Sequence, residues 1–103
     1  YESMHRHLAA GHRPDAVFAC NDQLAIGTMW ALTAHQLAIP DAVAVIGFDD
    51  SPMAAFAHPP LTTVRQPVAA MGMAAAELLI APATAGNAGQ RLFPPELIER
   101  QTT

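Results

Sequence analysis

A short apolar run that stops at two carboxylates is the feature that most constrains the fold of this chain. The run occupies residues 43–48, with the sequence VAVIGF, and Asp49 and Asp50 follow it directly. It is too short for a typical helix, and a run that is apolar on both faces is typical of a parallel strand covered on both sides. Ligands of open parallel sheets bind beyond the carboxyl ends of the strands, so the two aspartates mark a candidate site.

A second run of the same kind lies upstream. Residues 16–20 read AVFAC, and Asn21 and Asp22 follow them. Residues 23–37, between the two runs, predict a helix with Asn21 or Asp22 as its N-cap. Two strands joined by one helix form a βαβ unit, in which the strands are parallel and their polar ends share one edge. The sequence therefore predicts an α/β fold with a parallel sheet.

The rest of the chain predicts shorter or less regular elements. They are a helix at 1–10, a helical turn or two at 51–57, an extended segment at 61–66, a helix at 67–80, a loop at 83–90, and extended pieces at 92–93 and 97–98. Gly72 lies inside the predicted helix at 67–80, where glycine costs about 1 kcal/mol relative to alanine. We therefore expect a close packing contact at Gly72.

Composition excludes several classes of function. The chain has 103 residues, of which 51% are hydrophobic and 14% charged, which indicates a folded domain. Its net charge is −4 with only five Lys and Arg, too few for this segment itself to grip a phosphate backbone. No apolar run approaches the roughly 20 residues of a transmembrane helix, so no membrane partner is predicted. The chain opens inside a helical pattern without an initiator Met, and we expect it to be a piece of a longer protein.

The polar residues at the strand ends allow several chemistries. Paired carboxylates act as a general acid and base, as a magnesium site, or as hydrogen-bonding groups for a polyol. Helix capping is the expected role for Asp22 and Asp50, because aspartate favours that position. Asn21 and Asp49 come one residue earlier, at the strand tips, and are the better ligand contacts. A carboxylate accepts hydrogen bonds while an amide both donates and accepts, a combination that suits vicinal hydroxyls.

The histidines, the cysteine and the glycines do not indicate a metal site or a cofactor site. His5 and His7 lie two positions apart, on nearly opposite sides of a helix, and so cannot share an ion there. Cys20 lacks a local nucleophile motif and is expected to be a buried thiol at a strand end. No glycine-rich phosphate loop follows either strand.

Four motifs in order resemble one family. They are PDAVFACNDQLAIG at 14–27, IP to VIGFDD at 39–50, PPLTTVRQP at 59–67, and LIER at 97–100. Together they are similar to the lactose-repressor (LacI/GalR) family of bacterial transcription regulators, and the likeness covers nearly all of the chain. One departure is Gln36, which stands where the family usually has a glycine that closes the helix.

The resemblance implies a core like a type I periplasmic binding protein, of which only the C-terminal portion is present. Such a core has two α/β subdomains, joined by a three-strand hinge, with an effector in the cleft. Residues 1–63 and 97–103 would belong to the C-terminal subdomain, and residues 67–93 would be the returning segment of the N-terminal subdomain. The helix-turn-helix DNA-binding domain and the first half of the core would lie outside this chain.

The resemblance also implies roles for individual residues. Asn21 and Asp49 match cleft positions, with Phe48 and Gln66 nearby. The family dimerises through a helix and a neighbouring segment that carry, in this chain, Ile26, Met29, Trp30 and Phe56.

The expected function is therefore the effector-binding and dimerisation part of a cytoplasmic transcription regulator, and not an enzyme. Its expected partners are a small-molecule effector such as a sugar, nucleobase or related polyol, a second copy, and operator DNA only through the missing N-terminal domain. No cofactor and no metal are expected.

Two other functions stay open at this stage. A periplasmic sugar-binding subunit of a transporter has the same fold, and an enzyme could use the paired acids. The Asp49-Asp50 pair and the PPLTT stretch favour a regulator, because transport proteins of this fold more often have Asp-Gly at that strand end. The sequence upstream of Tyr1 would discriminate, through either a helix-turn-helix or a signal peptide.

Overall fold

The structure is a computed structural model that describes residues 1–80 and 90–103. Its elements, in chain order, are α1 (Glu2–Ala9), β1 (Ala16–Phe18), α2 (Asp22–Ala34), β2 (Ala44–Phe48), α3 (Pro52–Phe56), β3 (Thr62–Arg65), α4 (Val68–Ile80) and β4 (Glu96–Ile98). The predicted helices and main strands are confirmed. Residues 92–93, expected to be extended, form no strand. Most of the loop predicted at 83–90 lies outside the described residues.

One four-stranded sheet has the order β1-β2-β3-β4. The first two strand pairs are parallel, with Val17 opposite Val45 and Ile46 opposite Thr62. The β3–β4 pair is antiparallel. The β1-α2-β2 segment is thus the predicted βαβ unit, and the predicted α/β class with a mainly parallel sheet is confirmed.

Among the described residues, helices cover only one face of this sheet. Val45 and Leu61 are fully buried, together with Ala25 and Leu32 of α2. On the opposite face the side chain of Ile46 is only half-buried. The expectation of strands covered on both faces is therefore wrong for the described residues, because the helices α1 and α2 both lie on the same side.

The edge position of β1 also changes the surroundings of the residues that follow it. Phe18 is 61% exposed, and Cys20 is exposed rather than buried as expected. An edge strand has a neighbour on one side only, so the residues at its end reach solvent. The prediction of a buried thiol is wrong for this reason.

The apolar character of α2 is explained by two packing partners. One side of α2 packs on β2, and the other packs on α1, whose Leu8 is 1% exposed. A Cβ added at Gly27 would lie 2.9 Å from the backbone nitrogen of Tyr1, so glycine permits the close approach of the two helices. The helix ends with Gln36 at φ 58°, the left-handed conformation that glycine usually supplies at this position.

The C-terminal residues are tied into the sheet. Thr102 is fully buried, and its carbonyl accepts a hydrogen bond from the Val45 N–H at 2.8 Å. Its hydroxyl donates to the Val45 carbonyl at 2.6 Å and accepts from the Thr62 N–H at 2.9 Å. Thr102 therefore bridges the beginnings of β2 and β3, next to their first direct pair, Ile46 opposite Thr62.

Helix α4 has almost no cover from the described residues. Ala74 is its only buried residue, whereas Leu79 and Ile80 are 86% and 83% exposed. A Cβ at Gly72 would meet no atom within 4 Å, so the described residues do not provide the expected close packing contact. Among the described residues, no helix combines the length and the apolar character required to cross a bilayer.

Candidate functional site

Two of the four predicted ligand residues, Asn21 and Asp49, lie at the same edge of the sheet. Asn21 follows β1, and Asp49 follows β2, at the carboxyl ends of two adjacent parallel strands. Both line one concavity of about 220 Å³. The other residues that line it are Asp22, Gln23 and Ser51.

Asn21 has a structural role as well as a position at the site. It is the N-cap of α2, and its Oδ1 accepts a hydrogen bond from the Leu24 N–H at 2.8 Å. This bond satisfies one of the unpaired N–H groups of the first helical turn. Because the oxygen is engaged, the side-chain NH₂ group of Asn21 is the part available to a ligand.

Asp22 is buried, with 1% exposure, and does not cap the helix. Its Oδ2 accepts from the Ser51 N–H at 2.6 Å, and its Oδ1 accepts from the Thr63 hydroxyl at 2.5 Å. The carboxylate crosses over Gly47 of β2, where an added Cβ would collide with Asp22 Oδ1. The capping role predicted for Asp22 is therefore wrong, because the carboxylate points across the sheet.

Asp49 lies in a strained turn. Its φ is 106° and that of Asp50 is 50°, both in the left-handed range that costs energy in residues with a Cβ. Gln66 donates a hydrogen bond from Nε2 to Asp49 Oδ1 at 2.9 Å. This bond brings together two of the four predicted ligand residues and leaves Asp49 Oδ2 without an assigned partner among the described residues.

Asp50 belongs to a cluster of charges, not to a helix cap. Ser51 is the N-cap of α3, so the capping role predicted for Asp50 is wrong. Asp50 Oδ1 accepts from Arg100 at 2.6 Å, and Oδ2 accepts from Arg65 at 2.7 Å. Burial by itself raises the pKa of Asp50, but the hydrogen bonds and positive charges of Arg100 and Arg65 outweigh it and hold the pKa below its ordinary value of 3.8. The Asp50 carboxylate is consequently an ionised anchor, unsuited to accept a proton at neutral pH.

Two of the four predicted ligand residues, Phe48 and Gln66, line a second concavity. Phe48 and Gln66 border a space of about 260 Å³, whose wall includes Met71 of α4. Phe18, which the sequence did not indicate as a ligand residue, has its ring edge to face with that of Phe48 at a centroid distance of 6.4 Å. Phe18 lies two positions before Cys20 within an apolar run, so only the edge position of β1 reveals that its ring is exposed.

The predicted dimer residues lie away from the polar site. They line an apolar groove of about 420 Å³ between α2 and α3. Trp30 and Phe56 are 63% and 87% exposed, whereas Ile26 and Met29 are buried in the core of their own chain and form the floor of the groove. We call this surface the α2–α3 groove.

The part of the chain that the structure describes contains no group of three or more His, Cys, Asp or Glu side chains placed to hold a metal ion.

Comparison with known proteins identifies the family. The model of the periplasmic binding protein-like domain matches residues 1–103. The chain belongs to the periplasmic binding protein-like domain family. This agrees with the mainly parallel sheet and with polar residues gathered at the strand ends.

The relatives of this domain include transcription regulators. It is 44% identical over 90 residues to the HTH-type transcriptional regulator MalR of Streptomyces coelicolor, an alignment that covers 85% of this chain and 26% of MalR. The lac repressor dimer bound to operator and the anti-inducer ONPF superposes with a TM-score of 0.92 and 31% identity, over 100% of this chain and 36% of the repressor chain. The resemblance to lactose-repressor regulators is confirmed.

A third relative carries a bound sugar. A LacI-family transcriptional regulator from Lactobacillus casei, with bound sucrose, superposes with a TM-score of 0.73 and 41% identity, over 87% of this chain and 34% of that protein. The chain thus spans about a quarter to a third of the length of these three relatives.

Proposed function

We propose that this chain is the effector-binding and dimerisation part of a lactose-repressor-type transcription regulator, with a sugar or related polyol as effector. The observation that carries the proposal is the pair Asn21 and Asp49 in one concavity at the carboxyl ends of β1 and β2. Topology of this kind places ligands beyond the strand ends. The sucrose bound to the Lactobacillus casei regulator supports the sugar class.

The available polar atoms suit a neutral ligand with hydroxyl groups. Asn21 offers an NH₂ donor because its oxygen is occupied by the helix cap. Asp49 offers a carboxylate oxygen as acceptor, while Gln66 fixes the other oxygen. A hydroxyl both donates and accepts, so one hydroxyl can be bound by both groups. The exposed ring of Phe18, beside Phe48, adds an apolar surface for the face of a sugar ring.

The same proposal includes a homodimer formed through the α2–α3 groove. Trp30 and Phe56 are large apolar side chains left exposed on neighbouring elements. Exposed apolar surface of this kind marks interaction sites, and aromatic anchors dominate the energy of such interfaces. The dimeric state of the lac repressor relative supports this reading.

We further propose that the protein acts in the cytoplasm and contacts operator DNA through a domain outside this chain. The chain itself has a net charge of −4, which is unfavourable for binding a phosphate backbone.

Residues 1–63 and 97–103 would form the C-terminal subdomain, which the buried bridge made by Thr102 supports. Residues 67–93 would return to the N-terminal subdomain, in accord with the bare surface of α4. A helix-turn-helix in the sequence before Tyr1 would support the regulator, and a signal peptide would instead indicate a transport protein.

The effector site is tested by binding of sucrose, glucose and ribose to the full-length regulator, measured by calorimetry. Asp49→Ala removes the carboxylate and should lower the affinity for whichever sugar binds by about 5- to 150-fold. The reason is that a lost polar partner costs about 1–3 kcal/mol. Asp41→Ala is the matched control, since Asp41 is an exposed aspartate in the turn before β2, and its affinity should not change. Equal affinities for wild type and Asp49→Ala would remove Asp49 from the site, and no binding of any of the three sugars would count against the sugar class.

A further inference from the structure

The turn that carries Asp49 donates hydrogen bonds to two other elements, β3 and α2. Three successive N–H groups of the turn have partners. Asp49 donates to the Val64 carbonyl at 2.8 Å, Asp50 to the Thr63 hydroxyl at 3.4 Å, and Ser51 to Asp22 Oδ2 at 2.6 Å. Two of these three acceptors are side chains, one on β3 and one on α2.

Thr63 and Asp22 are linked to each other as well as to the turn. The Thr63 hydroxyl donates to Asp22 Oδ1 at 2.5 Å while it accepts from the Asp50 N–H. Asp22 therefore accepts with both oxygens, and the hydroxyl of Thr63 both donates and accepts. Thr63 is fully buried and Asp22 is 1% exposed, so water does not replace these bonds, and losing one leaves a buried polar group without a partner.

The strain in the turn indicates that this hydrogen-bond network holds the backbone conformation of Asp49 and Asp50 in addition to its contribution to packing. Asp49 and Asp50 have φ values of 106° and 50°, and such conformations persist only where the surroundings over-determine them. A relaxed turn would adopt negative φ and rotate the Asp49 side chain away from Gln66. The network therefore determines where the Asp49 carboxylate points.

We propose that Asp22 and Thr63 are positioning residues that hold Asp49 in its ligand-binding orientation without touching the effector themselves. The description of Asp49 as a ligand contact rests on the function proposed above. The orientation of Asp49 does not rest on that proposal, since the hydrogen bond from Gln66 Nε2 to Asp49 Oδ1 joins two side chains of this chain. That bond supplies a readout that is independent of binding.

The first test uses NMR spectra of the 103-residue chain without ligand. The Gln66 side-chain amide signal of Asp49→Ala defines the position of the broken bond. Thr63→Val keeps the shape of the side chain but removes the hydroxyl, and should move the Gln66 signal to that broken-bond position. Thr63→Ser, which restores a hydroxyl, should keep the wild-type signal. Thr33→Val is the matched control, because the Thr33 hydroxyl donates only to the Met29 carbonyl on α2.

A Gln66 signal that stays at the wild-type position in folded Thr63→Val would overturn the proposal. A second measurement needs no variant and covers the case in which Thr63→Val does not fold. In the wild-type chain the Ser51 amide should exchange with deuterium at least about tenfold more slowly than the free peptide rate, because its partner is the buried Asp22 carboxylate. Exchange at the free peptide rate would also overturn the proposal.

Binding of the sugar identified in the full-length regulator completes the test. Thr63→Val should lower the affinity for that sugar by about tenfold, whereas the affinity of Thr63→Ser should stay within about twofold of that of wild type. If no sugar binds the wild-type protein, the proposed effector class fails, while the Gln66 signal and the Ser51 exchange rate still decide the positioning role.

Discussion

Helices α2 and α4 have the same length of 13 residues and are both rich in apolar side chains. Their surroundings differ greatly. Eight residues of α2 are buried, including Ala25, Ala31 and Leu32 with no exposure, whereas α4 buries only Ala74. Both sequences are consistent with a buried helix. The two helices therefore differ in burial because the rest of the described chain packs against α2 but hardly against α4.

This contrast shows which part of the chain is stabilised by its own contacts. Helix α2 lies between β2 and α1 and connects two paired strands. Helix α4 follows β3 and is covered by no comparable layer among the described residues, so its apolar surface remains in contact with water. An apolar helix that no other layer covers gains little stability from burial of its side chains. It gains that stability only when a partner covers it. We therefore expect mutations in the two helices to have unequal effects.

The largest expected effect is on core packing. Leu32→Ala in α2 removes a fully buried side chain and should lower the free energy of unfolding of the 103-residue chain by about 2–5 kcal/mol. Leu79→Ala is the same substitution in α4, at a side chain that is 86% exposed. It should change the free energy by less than about 0.5 kcal/mol. Urea denaturation of both variants measures the two values.

A comparable decrease in the free energy of unfolding of both variants would contradict the difference in burial between α2 and α4. It would mean that α4 is covered in solution, by a second copy or by another arrangement of the chain. The concentration dependence of the Leu79→Ala midpoint would identify the first case, because association stabilises a protein by mass action.

Sequence patterns could predict the βαβ unit because each element is specified locally. The apolar runs before Asn21 and Asp49 set two strands, and the segment between them sets α2. The meeting of Asn21 and Asp49 at one edge then follows from the rule for parallel connections. The bare side of the sheet could not be predicted, because an apolar run such as residues 43–48 does not show whether its second layer is present.

The roles of the acidic residues were the least predictable part of the site. Asp22 and Asp50 stand at helix starts, where capping is the common role, yet both bind partners on β3 or beyond it. These partners, Thr63 and Arg100, are 41 and 50 residues away in sequence. A local pattern carries no information about contacts at such separations. Gly47 leaves room for the Asp22 carboxylate above β2, but it is itself distant from Asp22 along the chain, so it does not reveal this contact locally.

The next effect concerns the exposed surface of each helix. If copies of the chain associate through the α2–α3 groove, Trp30→Glu should weaken the dimer by about 2 kcal/mol or more, since central aromatic residues carry much of the energy of an interface. This corresponds to a roughly 30-fold weaker dimer. Leu79→Glu places the same charge on α4 and serves as the matched variant. Sedimentation equilibrium of the 103-residue chain and both variants gives the dissociation constants.

A monomeric wild-type chain at high concentration would contradict the groove as a dimer surface. A dimer that survives Trp30→Glu but is lost in Leu79→Glu would move the partner surface from α2 to α4. In that case α4, and not α2, would be the helix that a second copy covers.

The smallest expected effect separates the two helices through their glycines. Gly72→Ala in α4 should raise the free energy of unfolding by about 0.5–1 kcal/mol, because alanine restricts the unfolded chain and its Cβ meets no atom within 4 Å. Gly27→Ala in α2 brings the same gain in helix propensity, but its Cβ would lie 2.9 Å from the backbone nitrogen of Tyr1. The helices α1 and α2 would have to move apart, so the sum should be destabilising. Thermal unfolding of both variants measures the difference in sign. If Gly72→Ala destabilises the chain instead, a partner layer approaches α4 at Gly72, and the close contact expected from the sequence exists in solution.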